Sequence, residues 1–410
     1  MCDCALALGT ATARSATIFG KNSDRQRDEA QPLRVIPAGE HAPDARVRAS
    51  YIEIPQAPQT ARVLGSGPFW VWGLEHGVNE HGVVIGNESV FTHEELELPD
   101  EGLLGMDLVR LGLERARTAH GALGVITELI ERYGQGGNGF LEGHLAYSNG
   151  FLIADPHEAW TLQTSARAWA ARREHGIVTL SNHPSIGEDW DELGPVTIAR
   201  AVERGWWRDP SRRFNFETAY RSTRLVPRAF SDGRLRRSRE LLRRRAGRLE
   251  ERDFFGLLRD HGGECPLPDG KQKDEERYYT LCAHNDVQQE TAASLVVALD
   301  RRVRWLALGA PCCSVYLPLY LEGEPPAGLL RAGRAPDEDS VWWRFKRLQQ
   351  AVESDFPARL PRVRENLGAL EEEWLAWPDP PDDPTGRMEE ATARALETTS
   401  KLLASFEPVG

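Results

Sequence analysis

Long hydrophobic runs are missing from this 410-residue chain, so the roughly 20 apolar residues of a bilayer-spanning helix are not found, and no charged-then-apolar leader precedes Cys2. A soluble, cytoplasmic protein is expected. Basic excess is missing as well. Fifty basic residues against 62 acidic ones give a formal net charge of −12, which argues against nucleic acid or an anionic membrane as a main partner. Cysteine is scarce. The six present (Cys2, Cys4, Cys265, Cys282, Cys312 and Cys313) are too irregularly spaced for a disulfide scaffold and suit a reducing compartment. There is no Cys-x-x-Cys pair. Cys282-Ala283-His284 with Cys312-Cys313 offers zinc-ligand chemistry in principle. Adjacent cysteines in a strand point to opposite faces, however, and core thiols are the preferred reading. The glycine-rich Gln135-Gly136-Gly137-Asn138-Gly139 lacks a lysine-serine/threonine ending, so no phosphate loop is read there. No metal, nucleotide or flavin cofactor is expected.

Hydrophobic residues make up 40% of the chain and tryptophans number twelve, enough for a large core in one domain with an appendage. The most informative feature is at the start. In Met1-Cys2-Asp3-Cys4, removal of Met1 makes Cys2 the first residue of the mature chain. It then carries a thiol nucleophile and a free α-amine, whose pKa of about 8 suits a general base. Taken alone, Cys2 reads sooner as an ordinary buried residue of an edge strand. Its surroundings favour chemistry. Cys2 to Leu8 is strand-like, Gly9 to Ser15 is a turn, and Ala16 to Phe19 is a second strand. That hairpin returns Gly20-Lys21-Asn22-Ser23-Asp24-Arg25 toward the terminus.

Val83 to Gly86 reads as a strand with Asn87-Glu88-Ser89 at its end. Helical spacing follows at Met106, Val109, Leu113 and Ala116, then at Ala122, Val125, Leu129 and Tyr133, with Gly134 as the stop. Gly150 to Ala154 and Ala159 to Gln163 form a hairpin signal, and Gly176 to Leu180 is a strand ending at Asn182 before Pro184. Ala293 to Leu299 pairs with Val303 to Leu308 about Asp300-Arg301-Arg302. The arginine-dense segment 235–252 reads as a solvated helix with Leu235, Leu242 and Leu249 as its seam, from which one arginine could still face a site. Strands and helices come in blocks with hairpins between, an α+β pattern. Residues 326–410 read as a helical extension to a domain spanning 2–325. Helical appendages often make interfaces, so a homodimer is the expected assembly.

Cys2, Phe19 to Arg25, and Trp72-Gly73-Leu74-Glu75-His76-Gly77-Val78-Asn79-Glu80-His81-Gly82-Val83, in that order, resemble the secernins and their bacterial cysteine-dipeptidase relatives among the N-terminal nucleophile hydrolases. Leu103 to Arg115, Gly134 to Asn138, Glu158-Ala159-Trp160, Gly205-Trp206-Trp207 and Phe214-Asn215-Phe216 extend the resemblance across most of residues 2 to 320. It implies an α+β fold, a four-layer αββα sandwich with the nucleophile at the start of a central strand. It also implies a hydrolase of C–N amide bonds acting through an acyl-enzyme on Cys2, with dipeptides as the leading substrate class. Acyl-amide hydrolysis or acyl transfer of the penicillin and bile-acid amidase type is the alternative. A secernin-like scaffold without activity is the reading of another class, and Cys4 beside Cys2 permits a redox role.

By the same resemblance, Asp24 holds the ammonium or thiol, Asn182 orients the Cys2 amine, and Asn87 with a backbone N–H forms the oxyanion hole. Lys21 stands where relatives carry arginine and keeps the charge that lowers a thiol pKa. Arg239, which follows Ser238, is the candidate arginine. His183 and His284 are expected to be structural, because a terminal amine makes a histidine base redundant.

Overall fold

The computed structural model describes all residues except 1, 95–97, 210, 225–229, 263–278, 286–288 and 408–410, so Cys265 lies outside the described residues. Two antiparallel sheets form its centre. The first contains β1 (Cys2–Ala7) and β2 (Ile18–Arg25). The second is built from β3 (Leu33–Ile36), β4 (Val63–Ser66), β5 (His76–Asn79), β6 (Val84–Val90), β7 (Ser148–Ala154), β8 (Ala159–Ser165) and β9 (Ala168–Arg173). β10 (Ile177–Leu180) returns to the first sheet, β11 (Glu192–Leu193) ends the second, and β12 (His284–Asn285), β13 (Gln289–Ala298), β14 (Arg304–Leu308) and β15 (Leu317–Leu319) complete the first. The strand orders are β10-β1-β2-β13-β14-β15, with β12 on β13, and β11-β9-β8-β7-β6-β5-β4-β3.

Helices cover both outer faces. α1 (Gly105–Arg115) and α2 (Ala119–Tyr133) lie on β5 to β8, while α3 (Asp232–Arg243) and α4 (Glu251–Leu258) lie on β10, β1, β2 and β13. The inner faces of β1 and β2 pack on β6. The result is the four-layer αββα arrangement expected from the sequence. It follows from two-residue alternation: Ile85, Phe151 and Ile153 face the α1–α2 core, whereas Val84, Leu152 and Ala154 face the first sheet. After the sandwich come α5 (Val341–Glu353), α6 (Phe356–Leu375) and α7 (Pro384–Phe406). Their Trp342, Phe345, Leu348, Leu367, Trp374 and Leu402 are buried in the same apolar cluster as Leu295, Trp305 and Leu317 of the sheet.

Three expectations differ from the structure in extent. The polar run Lys21 to Asp24 does not follow the second strand but lies inside β2, which is hydrogen-bonded to β1 on one side and β13 on the other. Its polar side chains persist there because each buried one finds a partner: Asn22 Nδ2, for instance, donates to the Leu258 and Leu281 carbonyls at 2.8 and 2.7 Å. The arginine-rich helix is shorter than expected. It ends at Arg243, and a turn with Gly247 at φ +83° separates it from α4, so Leu249 is buried from that turn and not from a helical seam. α6 has no counterpart in the sequence reading, because Pro357 and Pro361 mask its periodicity; the first sits in the opening turn, where its missing N–H is harmless. Among the described residues no helix is long and apolar enough to cross a membrane.

Gly73 joins the second sheet to α1. A Cβ built there lies 2.2 Å from the Met106 carbonyl carbon, while the Leu74 N–H donates to the Met106 carbonyl at 2.8 Å, so the backbones touch and hold Glu75 in place. Gly124 on α2 is exposed, with no atom near such a Cβ. Denaturant unfolding is expected to show Gly73→Ala destabilised by about 2 kcal/mol or more and Gly124→Ala stabilised by roughly 0.5–1 kcal/mol. Equal effects of the two would contradict the close approach.

Candidate active site

β1 opens at the bottom of a narrow cleft of about 30 Å³ lined by Cys2, Asp24, Arg25, Glu75, Asn87, Ser89 and Tyr147. The register places Cys2 opposite Ser23 and Cys4 opposite Lys21 on β2. Even-numbered β1 residues and odd-numbered β2 residues therefore share the face turned to the second sheet. Lys21 reaches along that face until its Nζ is 3.9 Å from Cys2 Sγ and 3.0 Å from Glu75 Oε2. Both charged partners are buried. Glu75 also accepts from Arg25 Nη1 at 3.2 Å, and Arg25 is itself paired with Glu29 at 2.7 Å.

The ion network sets the charge states. Burial works to raise the Glu75 pKa, but Lys21 and Arg25 prevail and hold it below the usual carboxylate range. Burial disfavours the Lys21 charge, yet the Cys2 thiol and Glu75 more than offset it and the pKa rises. For Cys2 the balance goes the other way. Burial pushes the thiol up to about 11 despite the pull of Lys21, so the expected lowering by the lysine is present but outweighed.

Asn182, just past β10, accepts from the Cys2 backbone N–H at 3.1 Å and from Arg234 Nη2 at 2.6 Å. Its Nδ2 donates to the Ser89 carbonyl at 2.8 Å, so the orientation of the amide is fixed by three partners. Glu75 can only accept, so the Asn87 nitrogen faces it and donates to Glu75 Oε2 at 3.0 Å and to the Glu75 carbonyl at 2.9 Å. Asp24 accepts from Thr291 Oγ1 at 2.6 Å through one oxygen, and the other is buried with no hydrogen-bond partner. Burial raises the Asp24 pKa against the pull of the chain-terminal amine and Arg234.

Cys2, Asp24 and Asn87 thus line one cleft, and Lys21 and Asn182, equally distant in sequence, meet the Cys2 sulfur and nitrogen. Arg239 does neither. It lies five residues beyond Arg234 on α3, about 140° round the helix, and lines a separate groove with Arg236 and Arg243. Arg234 is the arginine that turns inward: buried, it pairs with Asp3, donates to the Cys2 carbonyl at 3.3 Å and holds Asn182. Burial pushes the Asp3 carboxyl up to about 6 against that arginine. Glu75 and Arg25 had also gone unnoticed as site residues. Both stand within the family-like strings, and nothing but their burial distinguishes them from solvated charges. His183 is buried and bonded through Nδ1 to Ser231 Oγ at 2.7 Å, away from the cleft lining.

Residues 2–245, more than half of the chain, match Peptidase family C69. Among solved structures the chain is similar to a C2A mutant of the conjugated bile acid hydrolase from Clostridium perfringens (13% identity, TM-score 0.43, covering 75% of this chain and 89% of that one). It is similar also to penicillin V acylase from Agrobacterium tumefaciens (12%, 0.43, 78% and 86%) and to a Caenorhabditis elegans N-acylethanolamine-hydrolyzing acid amidase ortholog (10%, 0.38, 72% and 92%). These likenesses are too distant to assign any residue a role. The chain belongs to peptidase family C69 and is a cysteine-nucleophile C–N hydrolase.

Behind the nucleophile, Glu88 on β6 is wholly buried between the sheets with neither carboxyl oxygen hydrogen-bonded. Burial pushes it up to about 8, against a smaller pull from the Lys21 charge. A folded-state pKa above the unfolded value means that the contribution is fully present below the unfolded pKa and is lost as pH rises through the folded one. Glu88→Gln is therefore expected to gain on the wild type by a few kcal/mol as pH rises from about 4.5 to about 8. Unfolding free energies of the two proteins that run parallel across that window would contradict the buried neutral carboxyl.

Proposed function

We propose that this member of peptidase family C69 hydrolyses short peptides, dipeptides first, through an acyl-enzyme on Cys2 formed after Met1 is removed. The observation that carries the reading is the convergence on the Cys2 backbone nitrogen and sulfur. Asn182 holds the nitrogen at 3.1 Å and Lys21 lies 3.9 Å from the sulfur, at the base of a cleft that also holds Asp24. Once freed, the amine replaces the peptide N–H as the group that Asn182 orients. It takes the proton of the Cys2 thiol, and the thiolate attacks the substrate carbonyl carbon.

Negative charge passes to the carbonyl oxygen in the tetrahedral intermediate. Asn87 supplies one donor to it by releasing an N–H from Glu75, with a backbone N–H as the second, each worth on the order of 3 kcal/mol of barrier. The Cys2 ammonium then protonates the leaving nitrogen, the C–N bond breaks, and a thioester remains. Water attacks that thioester with the amine again as base, and the acid product leaves as the thiol is restored. Asp24 offers its unpartnered oxygen to the ammonium, lowering the energy of the charge-separated states. Arg234 acts through others, holding Asn182 and the Cys2 carbonyl, and is a positioning residue.

The five described cysteines are all free thiols, which supports a cytoplasmic location. Acyl amides remain the second reading, since the same atoms cleave either bond.

Cys2→Ala is expected to abolish turnover, and Asp24→Asn to lower kcat by about tenfold to a hundredfold with the fold intact by circular dichroism. Free dipeptides are expected to exceed their N-acetylated forms in kcat/KM by about tenfold or more. Faster cleavage of the capped forms would move the assignment to an acyl-amide hydrolase, and undiminished activity in Cys2→Ala would remove the nucleophile.

A further inference from the structure

On the far side of the first sheet from the cleft, four side chains from three separate segments meet. They are His261 after α4, Cys282 and His284 at the start of β12, and Cys312 in the turn after β14, and their ligand atoms all lie within 4.8 Å of one another. We propose that this cluster is a structural zinc site, independent of the chemistry at Cys2.

The distances suit one tetrahedral ion. His284 Nε2 is 3.1 Å from Cys312 Sγ and 3.5 Å from Cys282 Sγ. Ligands at about 2.0–2.1 Å (nitrogen) and 2.3 Å (sulfur) from a tetrahedral Zn²⁺ stand roughly 3.3–3.8 Å apart, so small adjustments bring the set onto the metal. The donor set is two thiolates and two imidazoles, which favours zinc over magnesium or calcium. Binding replaces two thiol protons, Zn²⁺ + 2 RSH giving Zn(SR)₂ + 2 H⁺, and leaves the buried centre neutral.

Two further observations point to an ion. His284 Nδ1 lies 2.8 Å from Glu353 Oε1 at the end of α5, and Gln349 Nε2 holds the same oxygen at 2.8 Å. A carboxylate on one ring nitrogen commits the other to the role of ligand, the outer-shell arrangement that metal-binding histidines use. His261 Nε2 is buried with no hydrogen-bond partner. Phe356 of α6 packs edge-on against both imidazoles, with ring centroids 5.5 Å away in each case, and closes the site with an apolar ring.

The divergence expected of adjacent cysteines does not apply, because Cys312 and Cys313 lie in a turn and not in a strand, with their sulfurs 3.5 Å apart and Cys312 the one that meets His284. The ion would tie α4, β12 and the β14–β15 turn, and through Glu353 α5, into one unit. It would also steady a catalytic neighbour. Ala283, between two ligands, donates its N–H to Thr291 Oγ1 at 2.9 Å, and that hydroxyl donates to Asp24.

The test is metal content by mass spectrometry of the full-length protein expressed with added zinc and dialysed. About one zinc per chain is expected, with Cys313→Ser retaining it and Cys282→Ser and Cys312→Ser losing it. Should those two variants fail to fold, the wild type still decides. Replacing the metal with Co²⁺ is expected to give the intense visible bands of tetrahedral cobalt and a thiolate-to-cobalt charge-transfer band. Chelation is expected to lower the melting temperature, and Zn²⁺ alone to restore it. Wild-type protein with no zinc above background and no cobalt spectrum would overturn the proposal, as would zinc retained in Cys282→Ser and Cys312→Ser.

Discussion

A lysine ammonium buried between a thiol and a carboxylate is the interaction on which the rest of this protein depends. Lys21 is wholly shielded from water, and Glu75, which neutralises it at 3.0 Å, is nearly so. Removing one member of such a pair strands the other, at about 3–5 kcal/mol. Each partner is held by a different part of the fold. Lys21 stands in the central strand β2, while Glu75 follows Gly73, whose missing side chain lets the chain press against α1. Bringing the two charges together therefore requires both sheets to be in place, and once they are, the start of the chain has a fixed floor.

From that floor the cleft is a consequence of strand alternation. β1 pairs with β2 from Cys2 and with β10 from Cys4, and the Asn182 side chain holds the Cys2 N–H, so a segment that would ordinarily fray is pinned. The charged shell is arranged in two halves, Lys21, Glu75, Arg25 and Glu29 toward the second sheet and Asp3, Arg234 and Asn182 toward α3. A nucleophile that carries its own base needs this. Its position is set by backbone pairing, and the polar groups need only tune charge and hold one nitrogen.

Much of this was legible in the sequence. The hairpin from Cys2, the strands around Asn87 and Asn182, and the two helices of which the second is capped by Gly134 all follow from alternation, periodicity and turn chemistry that act within a few residues. What escaped depends on contacts between distant segments. Arg234 and Arg239 are equivalent in composition, and the helix start at Asp232 decides which one faces Asn182. Glu75 is one acid among 62 until its burial is known. His261 lies beyond a helix with no metal-binding spacing to Cys282, and it joins Cys312 only because β14 turns back beneath α4. The prolines of α6 hide a helix whose Val363, Leu367 and Trp374 are deep in the core.

The account turns on Cys2 being both terminal and reactive, and the intact mass of the purified protein, before and after a thiol-reactive acylating probe with peptide mapping of the label, tests both at once. It predicts a chain lacking Met1 that takes its label on Cys2. A chain that keeps Met1, or that labels Cys2 no more than Cys265, would contradict it, because the amine that serves as base would then not exist.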